Sequence, residues 1–242
     1  MAGEKIVLIP WDASSDEQYQ RSMYDQRIAC GWRADELPEW KEKQIKGIKF
    51  LYWAVIRDDF PDKEKLLQRH VQKYPTESKP IIDTASAVGS TAREPSEEPF
   101  IPIGHIALEQ CPDLDQKFGH PSSTLWVKSL YISWILQDAG FGRSAMAQTE
   151  RIAAEAPHFA TNLALDTMLG SYQTSETHLA RLYDRRGIVR PKVLRSTESW
   201  YARQGWVLVP MPEPEFYPWH ADDVEKNVQL PVIMMKKDIT RS

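Results

Sequence analysis

LQDAGFGRSAMAQTE, residues 136–150, decides the reading of this chain. Gly140 and Gly142 are followed by small and polar residues and then by a predicted helix over about 141–155. Paired glycines relieve the backbone wherever φ turns positive, so a bare strand-to-helix turn explains them. A helix entrance is also an anion site. Its first N–H groups lack intrahelical partners, and the helix dipole is positive there. With glycine in front, the main chain can close on a phosphate with no Cβ in the way. Three readings follow: a plain turn, a dinucleotide grip, or a grip on another phosphorylated cofactor.

The dinucleotide reading rests on Gly140-Phe141-Gly142-Arg143-Ser144-Ala145, which matches G-x-G-x-x-G/A, and on Asp166 at the end of a later strand. The surroundings argue against it. Ser133 to Ala139 separate the loop from the strand ending at Ile132, and three strands in a row precede it. That fingerprint should follow its strand at once and open an alternating βαβ series. A Walker-type loop fails, since no Gly-Lys-Ser/Thr stands at the required spacing. An NAD(P)-dependent oxidoreductase is the weakest functional alternative.

Working outward, KIVLIP (5–10), KFLYWAVI (49–56), FIPIGHIALEQ (100–110), TLWVKSLYIS (124–133), TNLALDTM (161–168), WVLVP (206–210) and NVQLPVIMMKK (227–237) read as strands. Helices are predicted over about 16–30, 37–48, 141–155 and 197–204, and 170–195 reads as helical and basic. A loop with Cys111, Pro112, Gly119 and Pro121 joins the third strand to the fourth, and the Pro/Ser/Thr/Glu-rich 75–99 reads as a mobile surface insertion. The order predicts a mixed α/β or α+β layer structure, and the length suits one core.

A net charge of −4 offers no basic face for nucleic acid, and no window is apolar enough for a membrane span. Cys30 and Cys111 make no disulfide framework and lack metal-ligand spacing. The first residues resemble neither a signal nor a transit peptide, so the expected location is cytoplasmic, or cytoplasmic and nuclear.

Gln137-x-x-Gly140-x-Gly142, after a strand and a short loop, resembles the coenzyme A motif of the GNAT superfamily of N-acetyltransferases. A second GNAT motif, aromatic-x-x-x-Gly-aromatic, has its match in Tyr201-Ala202-Arg203-Gln204-Gly205-Trp206, and Thr197-Glu198-Ser199-Trp200 before it looks most like fungal members. The resemblance spans most of the chain as one domain, with insertions at about 57–99 and 168–195. It implies a mostly antiparallel sheet with helices on both faces and a splayed central strand pair. It also implies acetyl-CoA or CoA as cofactor, held by Leu130, Tyr131, Ile132, Gln137, Asp138, Ala139, Gly140, Phe141, Gly142, Arg143 and Ser144, with Tyr201 beside the thiol.

The activity so implied is acetyl transfer to a primary amine by direct attack in a ternary complex. The backbone N–H of Ile132 would face the oxyanion, and the Tyr201 hydroxyl would protonate the leaving thiolate. Tyr183, in Tyr183-Asp184-Arg185-Arg186-Gly187-Ile188, is the rival acid; a buried structural tyrosine is the plainer account of Tyr201. His105 and Glu109 share a strand face and are candidate bases, or simply a histidine and glutamate at a solvated strand end. Trp32, Asp35, Glu36 and Trp40 suit a cationic amine, and a solvated loop with hydrophobic staples explains them equally well. The acceptor is a small-molecule or protein amine, and the chain a monomer or homodimer. The competing class is a CoA-binding sensor or scaffold with little catalysis.

Overall fold

The computed structural model describes residues 4–30, 34–187, 189–221 and 225–240. The strands are β1 (Ile6–Pro10), β2 (Lys49–Ile56), β3 (Ile81–Ile82), β4 (Ala87–Val88), β5 (Thr91–Ala92), β6 (Pro99–Phe100), β7 (Gly104–Glu109), β8 (Thr124–Ile132), β9 (Asn162–Met168), β10 (Val207–Leu208), β11 (Glu215–Ala221) and β12 (Glu225–Asp238). The helices are α1 (Tyr24–Cys30), α2 (Leu37–Ile45), α3 (Lys63–Lys73), α4 (Pro112–Phe118), α5 (Phe141–Ala154), α6 (Gly170–Gln173), α7 (Glu176–Leu182) and α8 (Thr197–Ala202).

One eight-stranded sheet runs β1-β2-β7-β8-β9-β12-β10, with β11 also paired to β12. Every pairing in it is antiparallel except β8 with β9. This corrects the dinucleotide reading: a doubly wound parallel sheet is absent among the described residues, and Asp166 is tied to Lys128.

Side-chain alternation along the strands sorts the core onto two faces. Phe50, Ile106, Val127 and Leu165 pack with Phe141, Met146 and Tyr201 from α5 and α8. Leu51, Trp53 and Ala107 turn the other way, onto Met23, Leu37 and Trp40. Further along this second face, Trp126, Ala164 and Met234 meet Leu114 and Phe118 of α4.

Between those two apolar groups lies a buried strip of charge. Glu109 accepts from Lys43 at 2.6 Å and Lys49 at 2.7 Å, and Lys128 pairs with Asp166. Burial pushes the Glu109 carboxyl up, but the charges and hydrogen bonds of Lys49 and Lys43 outweigh it and hold it below the usual carboxylate range. Glu109 and His105 do share a face, yet they are 7 % and 0 % exposed, so the solvated strand end is corrected.

Two further expectations are corrected. The loop after Cys111 holds α4, started by Pro112 at its first turn and stopped by Gly119 in the left-handed region (φ 65°). Residues 75–99 are not free of the fold. Glu77, Ile81, Asp83 and Ala85 are buried, β3 pairs with β6, and Arg93 grips the Asp83 carboxylate at 2.6 and 2.8 Å. Residues 170–195 are helical in part, as read: among the described residues they hold α6, α7 and a 3-10 turn at Asp184–Arg186.

Candidate active site

The parallel pairing of β8 and β9 runs only from Thr124↔Asn162 to Val127↔Leu165. Past that point β8 stays on β7 through Ile132, and β9 stays on β12 through Met168, so the two strands part. The cause lies in β8. His105 faces Tyr131 while Ala107 faces Lys128, which leaves one extra residue on β8, and Ser129 sits there with φ 59°. This is a β-bulge, and bulges bend the strand that carries them. Lys128 and Asp166 are the first residues beyond the last paired ones, and their ion pair spans the apex of the fork.

Ser133 N–H donates to Ile103 C=O at 2.8 Å, opposite it in the β7–β8 ladder. Antiparallel ladders alternate, so the Ile132 N–H and C=O project away from β7, into the fork. Gln137 Nε2 reaches back to the Ile132 carbonyl at 3.4 Å.

The connection from β8 to α5 is clamped from several sides. His70 Nδ1 meets Ser133 Oγ at 2.9 Å, Arg69 donates to Ile135 C=O at 3.0 Å, and Trp134 Nε1 donates to Ala29 C=O at 2.8 Å. Asp138 (φ 69°) and Gly140 (φ 83°) both take the left-handed region. Gly140 is the N-cap of α5, and no side chain caps that end. The amides that open the helix are therefore free of a capping side chain, and Gly140 and Arg143 are exposed. Lys5 braces the loop from β1. Its Nζ donates to Ala139 C=O at 2.6 Å and its N–H to Ser144 Oγ at 3.1 Å.

Gly142 packs beside α8. A Cβ built there would stand 3.4 Å from Trp200 Cζ2, an ordinary packing distance, so the Trp200 indole is its neighbour on one side. The next residue, Tyr201, is buried against Trp206 and Trp200, with ring centroids 5.9 and 4.8 Å away. Burial, then the nearby Asp166 charge, push its hydroxyl well above the usual tyrosine range, so it stays protonated. Gly205 (φ 86°) turns the chain into Trp206 and β10. Tyr183 is half-buried at the end of α7, and no strand follows Gly187 among the described residues before α8.

Other candidates separate. His105 is buried on the opposite face, its ring nitrogens 2.9 Å from Gln26 Oε1 and 3.2 Å from Arg27, and burial followed by the Arg27 charge holds it well below the usual imidazole value. Trp40 is a core residue with Arg27 and Lys49 over its ring at 4.9 and 4.4 Å, which corrects its reading as an amine contact. Glu36 accepts from Trp40 Nε1 at 3.2 Å, Asp35 is exposed, and Trp32 lies outside the described residues. The residues that the sequence did not single out near the fork are Lys5, Lys128 and Ser129. A cavity of about 470 Å³ lies at the other end of the sheet, and one of about 210 Å³ lies beside residues 85–89. An extended cofactor arm needs an open groove with a strand edge rather than an enclosed volume, so the fork carries the functional argument.

The mixed α/β, mostly antiparallel architecture matches the fold of solved N-acetyltransferases. Among solved structures, the chain is similar to the aminoglycoside 6'-N-acetyltransferase from Enterococcus faecium, at TM-score 0.51 and 12 % identity, covering 98 % of each chain. It is likewise similar to an aminoglycoside 6'-N-acetyltransferase complexed with coenzyme A, at TM-score 0.50 and 11 % identity, covering 98 % of each chain. No protein-family model and no curated protein sequence matches it.

Proposed function

We propose that the chain is an acetyl-CoA-dependent N-acetyltransferase acting on a primary amine by direct attack in a ternary complex. The observation that carries this is the fork: a strand edge at Leu130–Ile132, beside the uncapped start of α5, with Tyr201 on the same face of the sheet as the Ile132 side chain. In this reading the amides from Gln137 to Ser144 hold the diphosphate, and the β8 edge pairs with the amides of the pantetheine arm. The Ile132 N–H faces the thioester oxygen as it gains charge. Tyr201 gives its proton to the departing thiolate, the amine proton leaves to solvent, and a proton from solvent restores the Tyr201 hydroxyl, so the products are a neutral acetylated amine and CoA thiol. Glu109 is already bound to two lysines and is assigned to the fold. His105 is assigned there too, since both its ring nitrogens are engaged.

The fold likeness to N-acetyltransferases that act on aminoglycosides supports an amine acceptor. Trp134, 49 % exposed just past Ile132, gives the acceptor an aromatic surface. The competing reading is a CoA-binding sensor with little catalysis on the same fold. Thermal-shift measurements with acetyl-CoA, CoA, NAD and NADP, followed by CoA release across an amine panel, test the assignment. Acetyl-CoA stabilisation with thiol release supports it; stabilisation by NADP alone overturns it; stabilisation without release selects the sensor.

A glycine substitution probes the loop directly. A side chain at Gly140 is strained at φ 83°, and its Cβ would stand 3.0 Å from Lys5 Nζ. Left-handed backbone costs an L-residue about 1–2 kcal/mol. Gly140→Val is expected to weaken acetyl-CoA binding about tenfold or more by calorimetry. Unchanged affinity removes this loop from the cofactor site.

A further inference from the structure

Thr197-Glu198-Ser199-Trp200 runs directly into Tyr201, and the chemistry assigned to the fork makes no use of its first two residues. They open α8, which is only six residues long. A helix of that length does not hold itself in water, so its placement is set by what its side chains grip. The chain reaches it over an exposed stretch, with Val193 and Leu194 63 % and 43 % exposed, which gives α8 no anchor from behind. Thr197 and Glu198 stand four and three residues before Tyr201, so all three share one side of the helix.

The first turn of α8 is tied to the end of β9 and to α6. Glu198 Oε2 accepts from the Gly170 N–H at 2.7 Å, a charge-assisted bond. The Thr197 N–H and hydroxyl both donate to Gln173 Oε1, at 2.7 and 3.0 Å, and Thr167 Oγ1 lies 2.7 Å from Thr197 Oγ1. Thr167 follows Leu165 by two residues on β9, on the sheet face that packs against Tyr201. Ser196 caps the same turn, accepting from the Ser199 N–H at 3.1 Å. Gly170 is buried, and a Cβ there would stand 2.5 Å from Glu198 Oε2. The carboxylate thus occupies the space that a side chain at 170 would need.

We propose that Glu198 is a positioning residue: its bond to Gly170 latches α8 onto the end of β9 and so sets where the Tyr201 hydroxyl points. This role rests on Tyr201 being the proton donor. Misplacing a reacting group by about 1 Å can cost about a hundredfold in rate, so a single hydrogen bond at the root of α8 reaches the chemistry.

Steady-state kinetics with acetyl-CoA and the best amine, for each variant alone and on a Tyr201→Phe background, tests the latch. Glu198→Ala is expected to lower kcat about tenfold or more while the KM for acetyl-CoA stays within about threefold. Gly170→Ala, whose methyl displaces the carboxylate without changing any residue of α8, is expected to match it. Glu198→Gln keeps an oxygen for the Gly170 N–H and is expected to restore most of the rate. On the Tyr201→Phe background neither Glu198→Ala nor Gly170→Ala slows turnover further, because the hydroxyl that the latch places is gone. Wild-type kcat in both variants, a raised KM with kcat kept, Glu198→Gln as slow as Glu198→Ala, or the full loss repeated on the Tyr201→Phe background would each overturn the latch while leaving Tyr201 as the acid. Tyr201→Phe as fast as wild type removes the acid itself, and the latch with it.

Discussion

Tyr201→Phe slows CoA release with the best amine by about a hundredfold or more, the range for losing a positioned acid, while acetyl-CoA affinity stays within about threefold. The phenyl ring keeps the packing against Trp200 and Trp206, so the change isolates the hydroxyl. Because burial and Asp166 raise the hydroxyl's pKa, the wild-type rate does not fall as pH passes the ordinary tyrosine value near ~10. Only the rising limb from amine deprotonation is expected at lower pH. Tyr183→Phe leaves the rate unchanged, since that ring is half-buried at the end of α7 with no strand after its glycine among the described residues. Equal rates in wild type and Tyr201→Phe, or a loss confined to Tyr183→Phe, reverse the assignment.

The largest effect on stability is expected at Glu109. Its carboxylate lies between Lys49, whose side chain is 2 % exposed, and Lys43. Glu109→Gln leaves the Lys49 ammonium buried without a counter-charge, which costs about 3–5 kcal/mol by urea unfolding. Adding Lys49→Met to that variant recovers part of the loss. The pH dependence has a definite sign. The folded pKa of Glu109 is depressed, so its contribution is fully present above the unfolded carboxyl value of roughly 4.3 and is lost as pH falls through the lower folded value. The variant lacks that acid-side decline. A destabilisation under about 1 kcal/mol, the range of an exposed pair, would show that the strip is solvated.

Legibility in the sequence followed the strength of local signals. KFLYWAVI and the helix after Gly142 were readable, because a long β-branched and aromatic run and a glycine-led helix start each have one cheap conformation. β11 was missed: Pro218 lies within it, and it pairs on β12 alone, as a proline-bearing edge strand can. The Pro112 and Gly119 signals of α4 were present but were read as turn chemistry. The burial of Glu109 and His105 was not legible, because it depends on lysines, Gln26 and Arg27 brought from distant elements. Neither was the bulge: serine does not announce a positive φ, and the bend arises only when β7 and β9 compete for β8.

Ser129 thus does more than interrupt a ladder. A non-glycine residue held in the left-handed region stores about 1–3 kcal/mol, which the sheet around it must offset. Glycine at this position would relieve that tension and add stability, yet it would also free the hinge of β8. The gap between β8 and β9 would then lose its set width. Serine keeps the mouth at one aperture by remaining slightly uncomfortable itself.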